Sequence, residues 1–359
     1  VLLISQCLLG DSLAMLPALH ALRRVAPHAR LELISDGHAP GQIGASGILA
    51  GRGLVDRFHV LLARGSTSDR ALNRLVLLSR LRQRHWDAGA VLLPPYPPLT
   101  AGLAARLDRY LALAGVRQRS RPTPEAHRRG HDGFLERVPH VSDRMLAQLS
   151  AAIGVPVPPP DQRSFLLPPL TDRAPARVAA QRVAAVAGSR RLRLVLAPGS
   201  NMPCKRWPVE YFGAVIRGLA SVVPLSVLIC GSQAEAGLCG ALQPLVPDLP
   251  SCLVVGEPIA EVAEIMRLCD LYLGNDTGLM HLAAAVGTPC VAVFSSRDLP
   301  GAWEPYGPGH RVFRTPIACE GCLAHECPLG TTACIRSIRP DAVTAACQGV
   351  VADVLARRP

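Results

Sequence analysis

The 359-residue chain has almost no lysine: of its 38 basic residues, Lys205 is the only one. A composition this biased toward arginine keeps lysine where a compact ammonium on a flexible stem does what a planar guanidinium cannot, such as a point charge set against phosphate. Aromatic residues are scarce too, at 4%. That argues against the base-stacking platforms on which single-strand nucleic-acid binders rely. Long apolar runs are missing, and none reaches the ~20 residues of a membrane span. The apolar first 22 residues do not read as a secretory signal, because Gly10-Asp11 interrupts them and the arginines follow the run instead of leading it. A cytoplasmic protein is expected.

What is present suits a folded, two-domain chain. Hydrophobic residues make up 49%, enough for substantial cores, and the length is natural for two domains. The net charge of +11 favours anionic partners: a phosphorylated saccharide, a nucleotide, an acidic membrane surface or nucleic acid. Short apolar runs alternate with helical patterns, which predicts an α/β fold with parallel sheets. The proline-rich stretches 156–160 and Pro168-Pro169 mark a stiff linker. They divide the chain into a domain at 1–170 and another at 171–359.

Four strand–turn–helix units carry the chemistry. Residues 275–289 read NDTGLMHLAAAVGTP after an apolar run at 271–273. Asp276 and Thr277 are good N-cap residues, and Gly278 permits close backbone approach. A helix start offers unpaired N–H groups and partial positive charge, a natural seat for phosphate oxygens, toward which His281 can lean back. A capped core helix is the plainer reading. At the chain start, a strand at 1–6, a turn at 8–11 and a helix at 12–25 with Leu13, Leu16, Leu19 and Leu22 on one face form a βαβ unit with the strand near 31–34. Its ligand end lies beside Gly10 and Asp11, where Asp11 either caps the helix or does chemistry. In the second domain a strand at 192–197 leads into PGSNMPCKRWP, with Pro208 expected at helix position N1. A strand at 225–229 then runs into Cys230-Gly231-Ser232 and Glu235, which either binds a sugar diol or answers the helix dipole.

These stretches, in this order, resemble the signatures of the ADP-heptose:lipopolysaccharide heptosyltransferases, glycosyltransferase family nine. The resemblance implies the GT-B architecture of two facing Rossmann-like domains, the first binding the acceptor and the second the nucleotide sugar. It implies an inverting transfer of heptose from ADP-heptose to a lipopolysaccharide inner-core acceptor. Asp11 is then the general base that takes the acceptor hydroxyl proton, and Lys205 stabilises the departing diphosphate. Gly10, Ser200, Asn201, Glu235, Asp276, Thr277, Gly278 and His281 join Lys205 in donor binding. No catalytic cofactor is implied. The acceptor would be met at the inner face of an anionic membrane.

Two features stand outside that scheme. Residues 117–129 hold five arginines, and His127 and His131 belong to the same basic stretch; it is either a solvated loop or a clamp for acceptor phosphate. Cys319, Cys322, Cys327 and Cys334 crowd four thiols into sixteen residues. In a reducing compartment that spacing favours structural zinc or iron over disulfides, with free thiols as the alternative. The other eight cysteines are scattered, as expected of reduced, buried thiols. Rival functions are transfer of another sugar, glycosylation of a protein or small metabolite, a sugar-nucleotide epimerase, and a basic metal-knuckle nucleic-acid binder.

Overall fold

The computed structural model describes residues 1–5, 8–36, 42–61, 66–96, 101–125, 128–188 and 192–357. Gln6 and His127, each part of a segment assigned from sequence, lie outside these. The chain forms two compact units, Val1–His127 with Pro139–Thr171, and Arg128–Val138 with Asp172–Pro359. The sequence boundary was set at Leu170. The segment Arg128–Val138 belongs with the second unit: Glu320 accepts the backbone N–H of Leu135, and Arg137 forks onto Glu304, Nη1 at 2.7 Å.

In the first unit the elements run β1 (Leu2–Ser5), α1 (Leu9–Ala14), α2 (Leu16–Val25), β2 (Glu32–Asp36), α3 (Ala45–Leu49), β3 (Arg57–Leu61), α4 (Thr67–Arg82), β4 (Ala88–Val91), α5 (Ala101–Leu113), β5 (Gln118–Ser120) and α6 (Val141–Ile153). The strands pair in parallel in the order β3-β2-β1-β4-β5. β1 is apolar at Leu2, Leu3 and Ile4 because a parallel sheet is covered on both faces. Strand order reverses at β1, so its carboxyl end is a switch point where ligands gather, and Asp11 follows it.

The second unit begins with α7 (Ala174–Ala187) and continues through β6 (Leu192–Ala197), α8 (Val209–Ala220), β7 (Leu225–Gly231), α9 (Ala236–Gly240), β8 (Ser251–Val255), α10 (Ile259–Arg267), β9 (Leu271–Asn275), α11 (Gly278–Ala285), β10 (Cys290–Phe294), β11 (Arg311–Arg314), α12 (Ala333–Arg336) and α13 (Pro340–Ala356). Its sheet order is β11-β10-β9-β6-β7-β8, again parallel. Thus both units have the parallel α/β organisation expected of GT-B. The core is anchored by Trp207, 1% exposed, edge-on to Phe212 at 4.9 Å with its Nε1–H donating to Ile338 O. Val343, Cys347, Val350 and Val351 on α13 close the same core. Cys230, Cys269 and Cys290 are buried free thiols, and burial pushes Cys269 up to about 12.

Two local details differ from the sequence reading. The turn expected at 8–11 is already helical: α1 starts at Leu9, with Leu8 as N-cap, and Gly10 and Asp11 occupy its first turn. The helix then breaks at Met15, because Pro17 has no N–H to continue the ladder. Pro208 sits at the N-cap of α8 rather than at N1, with an extended ψ of 134°. Among the described residues no helix is long and apolar enough to cross a membrane.

Candidate active site

In the second unit the switch point lies between β6 and β9, where Ala197 pairs with Gly274. Two turns leave the sheet side by side there, one carrying Lys205 and one carrying Asp276-Thr277-Gly278. Asn275, fully buried, ties them together. Its Nδ2 donates to Pro198 O at 2.6 Å, and its Oδ1 accepts Trp207 N–H at 3.1 Å. The sequence analysis gave Asn275 no role, although it opens the signature. A buried amide with both ends used on loop backbone is a positioning group.

Lys205 reaches back over this junction. Its Nζ lies 2.6 Å from Asp276 Oδ2 and 2.7 Å from Asp298 Oδ2, with its side chain only 12% exposed. Asp298 follows β10 and also pairs with Arg297 Nη1 at 2.5 Å. Two cations and two carboxylates therefore balance within a buried cluster, which is how such charges tolerate the loss of water. Burial works against the Lys205 ammonium, but the two carboxylates outweigh it and raise its pKa. Burial also opposes the Asp298 carboxylate, while Lys205 and Arg297 together hold it below the usual range. Asp276 is pushed up, chiefly by burial and further by the neighbouring Asp298 charge. Neither Arg297 nor Asp298 was singled out from sequence. The Arg-Asp pair after a buried strand was the available signal.

The other donor-binding candidates of this unit surround the cluster. Thr277 is the N-cap of α11, its Oγ1 accepting Leu279 N–H at 3.0 Å, and Gly278 is the first helical residue. His281 is buried one turn in, with Trp303 edge-on at 5.9 Å. Ser200 is buried in the Lys205 turn and Asn201 is exposed beside it. Glu235 caps its own short helix, its Oε2 accepting Ser232 N–H at 2.8 Å and Ser232 Oγ–H at 2.7 Å. Its other oxygen lies over Gly199, where an added Cβ would collide with it. Thus the glycine admits the carboxylate to the Lys205 turn.

Gly10 and Asp11 belong to the first unit. The Asp11 carboxylate accepts Leu8 N–H at 3.0 Å from position N3, so the capping role is real. Burial raises its pKa to about 6, against the opposing pull of the Leu8 N–H. A carboxylate near neutrality that is ionised at pH 7 is suited to general-base work.

The cysteine loop adjoins the Lys205 cluster. Arg297 Nε donates to Ala324 O at 2.8 Å and Nη2 to Leu323 O at 2.6 Å, while Cys204 Sγ–H donates to Ala324 O at 3.1 Å. Leu329, Gly330, Thr331 and Thr332 all direct backbone N–H groups at Cys327, led by Thr332, and lower its thiol pKa. Among the described residues, however, no three His, Cys, Asp or Glu side chains come close enough to hold an ion. As folded here, Cys319, Cys322, Cys327 and Cys334 are free thiols not gathered around one point. In the basic stretch, Arg119 pairs with Asp108 at 3.0 Å, and Arg129 donates to Gly133 O and Glu320 O.

A model of glycosyltransferase family 9 (heptosyltransferase) matches residues 112–333, which takes in Lys205, Glu235 and the 275–278 turn and leaves Asp11 outside. Over 154 residues, 42% of this chain and 48% of the relative, the chain is 25% identical to lipooligosaccharide heptosyltransferase 2 of Campylobacter jejuni. It spans about half or less of the length of the curated relatives it matches. Its fold is similar to that of E. coli ADP-heptose lipopolysaccharide heptosyltransferase II, with a TM-score of 0.67 over 98% of both chains at 17% identity. The family 9 glycosyl transferase from Veillonella parvula gives a TM-score of 0.70 over 98% of this chain and 97% of that one, also at 17% identity. With the family model covering more than half of its length, the chain belongs to glycosyltransferase family 9, the heptosyltransferase family.

Proposed function

We propose that the protein is an inverting glycosyltransferase that moves a heptose from ADP-heptose to an inner-core lipopolysaccharide acceptor, working in the cytoplasm at the inner face of the membrane. The observation that carries the reading is Lys205, the single lysine of the chain, held by Asp276 and Asp298 beside the start of α11. ADP-heptose is taken from the name of the E. coli enzyme whose fold this chain shares.

In the proposed reaction the Asp11 carboxylate takes the proton of the acceptor hydroxyl. The freed oxygen forms its bond to the anomeric carbon as the bond from that carbon to the diphosphate breaks, and the configuration inverts. Negative charge then grows on the diphosphate. The Lys205 ammonium, already largely buried, and the N–H groups at Thr277 and Gly278 meet it, an electrostatic contribution that is usually the largest one available. Glu235 receives the nucleotide ribose, and Gly10, Ser200, Asn201 and His281 orient the rest of the donor. Asp276 and Asp298 hold the Lys205 ammonium at the start of α11, where the diphosphate would meet it, and Asp298 is shared with Arg297.

A structural zinc or iron at the cysteine loop is part of the proposal, resting on the four thiols within sixteen residues, which would have to close around the ion from the separated positions they hold here. Metal analysis of purified protein and of Cys327→Ser tests it; metal-free wild-type protein counts against it.

The transferase reading is tested by calorimetric titration with ADP, UDP, GDP and ADP-heptose, on wild type and Lys205→Ala. Selective ADP binding weakened by the substitution supports it. A preference for UDP or GDP changes the sugar, and no nucleotide binding overturns the reading.

A further inference from the structure

The first unit carries an apolar surface that its own core does not use. Helix α4 buries Leu77 and Leu81, while Leu72, Leu75 and Val76 stand in solvent at 62%, 65% and 41% exposure. Spaced i, i+3 and i+4, these three form one continuous stripe, on the side where a surface helix ordinarily presents charge. Val60 of β3, 48% exposed, extends the stripe, because β3 is the outermost strand of its sheet. A groove between helix and strand is lined by Phe58, Val60, Leu72, Val76 and Arg80.

The charge beside the stripe is mainly positive. α4 carries Arg70, Arg74, Arg80 and Arg82 against a single aspartate, and that aspartate, Asp69, is used in the helix's own capping box with Ser66. Arg74, Arg80 and Arg82 are exposed. Around the helix axis, Arg80 and Arg82 fall on opposite flanks of the apolar stripe, by the 100° step per residue.

We infer that this face of α4, with the edge of β3, is where the protein rests on an anionic lipid bilayer. Contiguous exposed apolar side chains mark an interaction surface, whereas isolated ones do not. An apolar stripe between arginines is the pattern of a helix lying in the plane of a membrane. Leu72, Leu75 and Val76 enter the headgroup boundary, and the arginine stems lie along it with their guanidinium groups on lipid phosphates. The same charge disfavours a second copy of this chain as occupant, since two such faces would set four arginines, Arg80 and Arg82 of each copy, against each other with only the two capping aspartates between them. Among the described residues no helix is long and apolar enough to cross a membrane, and the inferred contact is that of a helix lying in the plane of the headgroups. The inference builds on the membrane placement proposed above by naming the surface, and vesicle binding does not depend on the identity of the donor or acceptor.

The test is flotation of the full chain with phosphatidylglycerol-containing vesicles and with pure phosphatidylcholine vesicles. Wild type floats with the anionic vesicles, and added salt weakens this. The pairs Leu72→Gln/Leu75→Gln and Arg80→Glu/Arg82→Glu each reduce binding about tenfold or more, as expected when apolar anchoring or two basic contacts are removed. Both pairs lie on exposed positions, and unchanged ADP titration shows that the second unit is intact. Failure of wild type to float, or variants that float as well as wild type, overturns the inference. A wild-type dimer in light scattering that Leu72→Gln/Leu75→Gln turns into monomer would also overturn it, by showing that a second copy covers the face. Loss of ADP binding in wild type counts against the transferase reading and leaves the vesicle result to stand separately.

Discussion

Lys205 Nζ lies 2.7 Å from Asp298 Oδ2, and Asp298 in turn holds Arg297, whose remaining donors grip the carbonyls of Leu323 and Ala324. The ammonium is therefore anchored, through Asp298 and Arg297, to the cysteine loop, where Ala324 lies 119 positions beyond Lys205. This arrangement fixes the ammonium before any substrate arrives, and the predictions begin from it.

Asp298→Ala leaves Arg297 buried without its carboxylate, and broken buried pairs of this kind cost about 3–5 kcal/mol. A urea midpoint well below wild type is expected, together with a lower kcat. Asp298→Asn keeps the volume and loses only the charge. Because the Asp298 pKa is held below its ordinary value, its stabilisation is complete above the unfolded-state pKa and disappears as pH falls through the folded one. The stability gap between wild type and Asp298→Asn should therefore narrow on acidification below about pH 4. A gap that stays constant would show that the charge contributes nothing.

Asp11, with its pKa raised to about 6, must be ionised to act as a base. The expected kcat/KM falls about tenfold per pH unit below that value and levels off above it. Asp11→Asn should lose about 10²–10⁴-fold in rate while nucleotide affinity is unchanged. Stability moves the other way. A carboxyl whose folded pKa is raised stabilises the fold in its neutral form, and this is lost as pH rises through about 6. At pH 8 the Asn variant should therefore unfold at higher urea than wild type. Wild-type turnover in Asp11→Asn would remove the base assignment.

Asn275→Ala removes the amide that ties the Lys205 turn to the signature turn. The Pro198 carbonyl and the Trp207 N–H lose their partner, at about 1–3 kcal/mol for each buried group left unsatisfied. Calorimetric titration should show weaker ADP binding as well as lower stability. A loss of stability with unchanged affinity would confine Asn275 to the fold.

Gly199→Ala places a methyl group where the Glu235 carboxylate lies. The end of a glutamate side chain moves cheaply, so the melting temperature should change little while nucleotide affinity falls. The double variant with Glu235→Ala should bind no worse than Glu235→Ala alone, since both remove the same contact. Additive losses would show that Glu235 is not what the glycine accommodates.

Much of the second unit was legible along the chain because its signals are local. The apolar runs that became β6, β7, β9 and β10 are short, continuous and followed by turn residues, and the caps of α11 are written in Asp276-Thr277-Gly278. In the first unit the helices α5 and α6, and α7 at the opening of the second, were not anticipated. Their helical spacing was present, with Met145, Leu149 and Ala152 of α6, Ala104, Leu107 and Leu111 of α5, and Ala179, Val183 and Ala187 of α7 on buried faces, but no cap residue or turn motif drew attention to it. The helical state of Gly10 and Asp11 was missed for a related reason, since a glycine beside an aspartate reads as a turn until Leu8 is seen to cap the segment.

The sequence by itself determined which residue types could serve. It reserved its one lysine for a loop after a buried strand, set Asp-Thr-Gly at a helix start, and kept an aspartate after the first strand. Those choices depend on neighbours a few residues away. The tertiary structure decided what the lysine meets. Asp276 and Asp298 lie 71 and 93 positions beyond Lys205 and come to it only because β6 pairs with β9, and β9 with β10. Charge separated that far along the chain becomes a single cluster through strand order, and strand order is fixed by burial of the whole sheet.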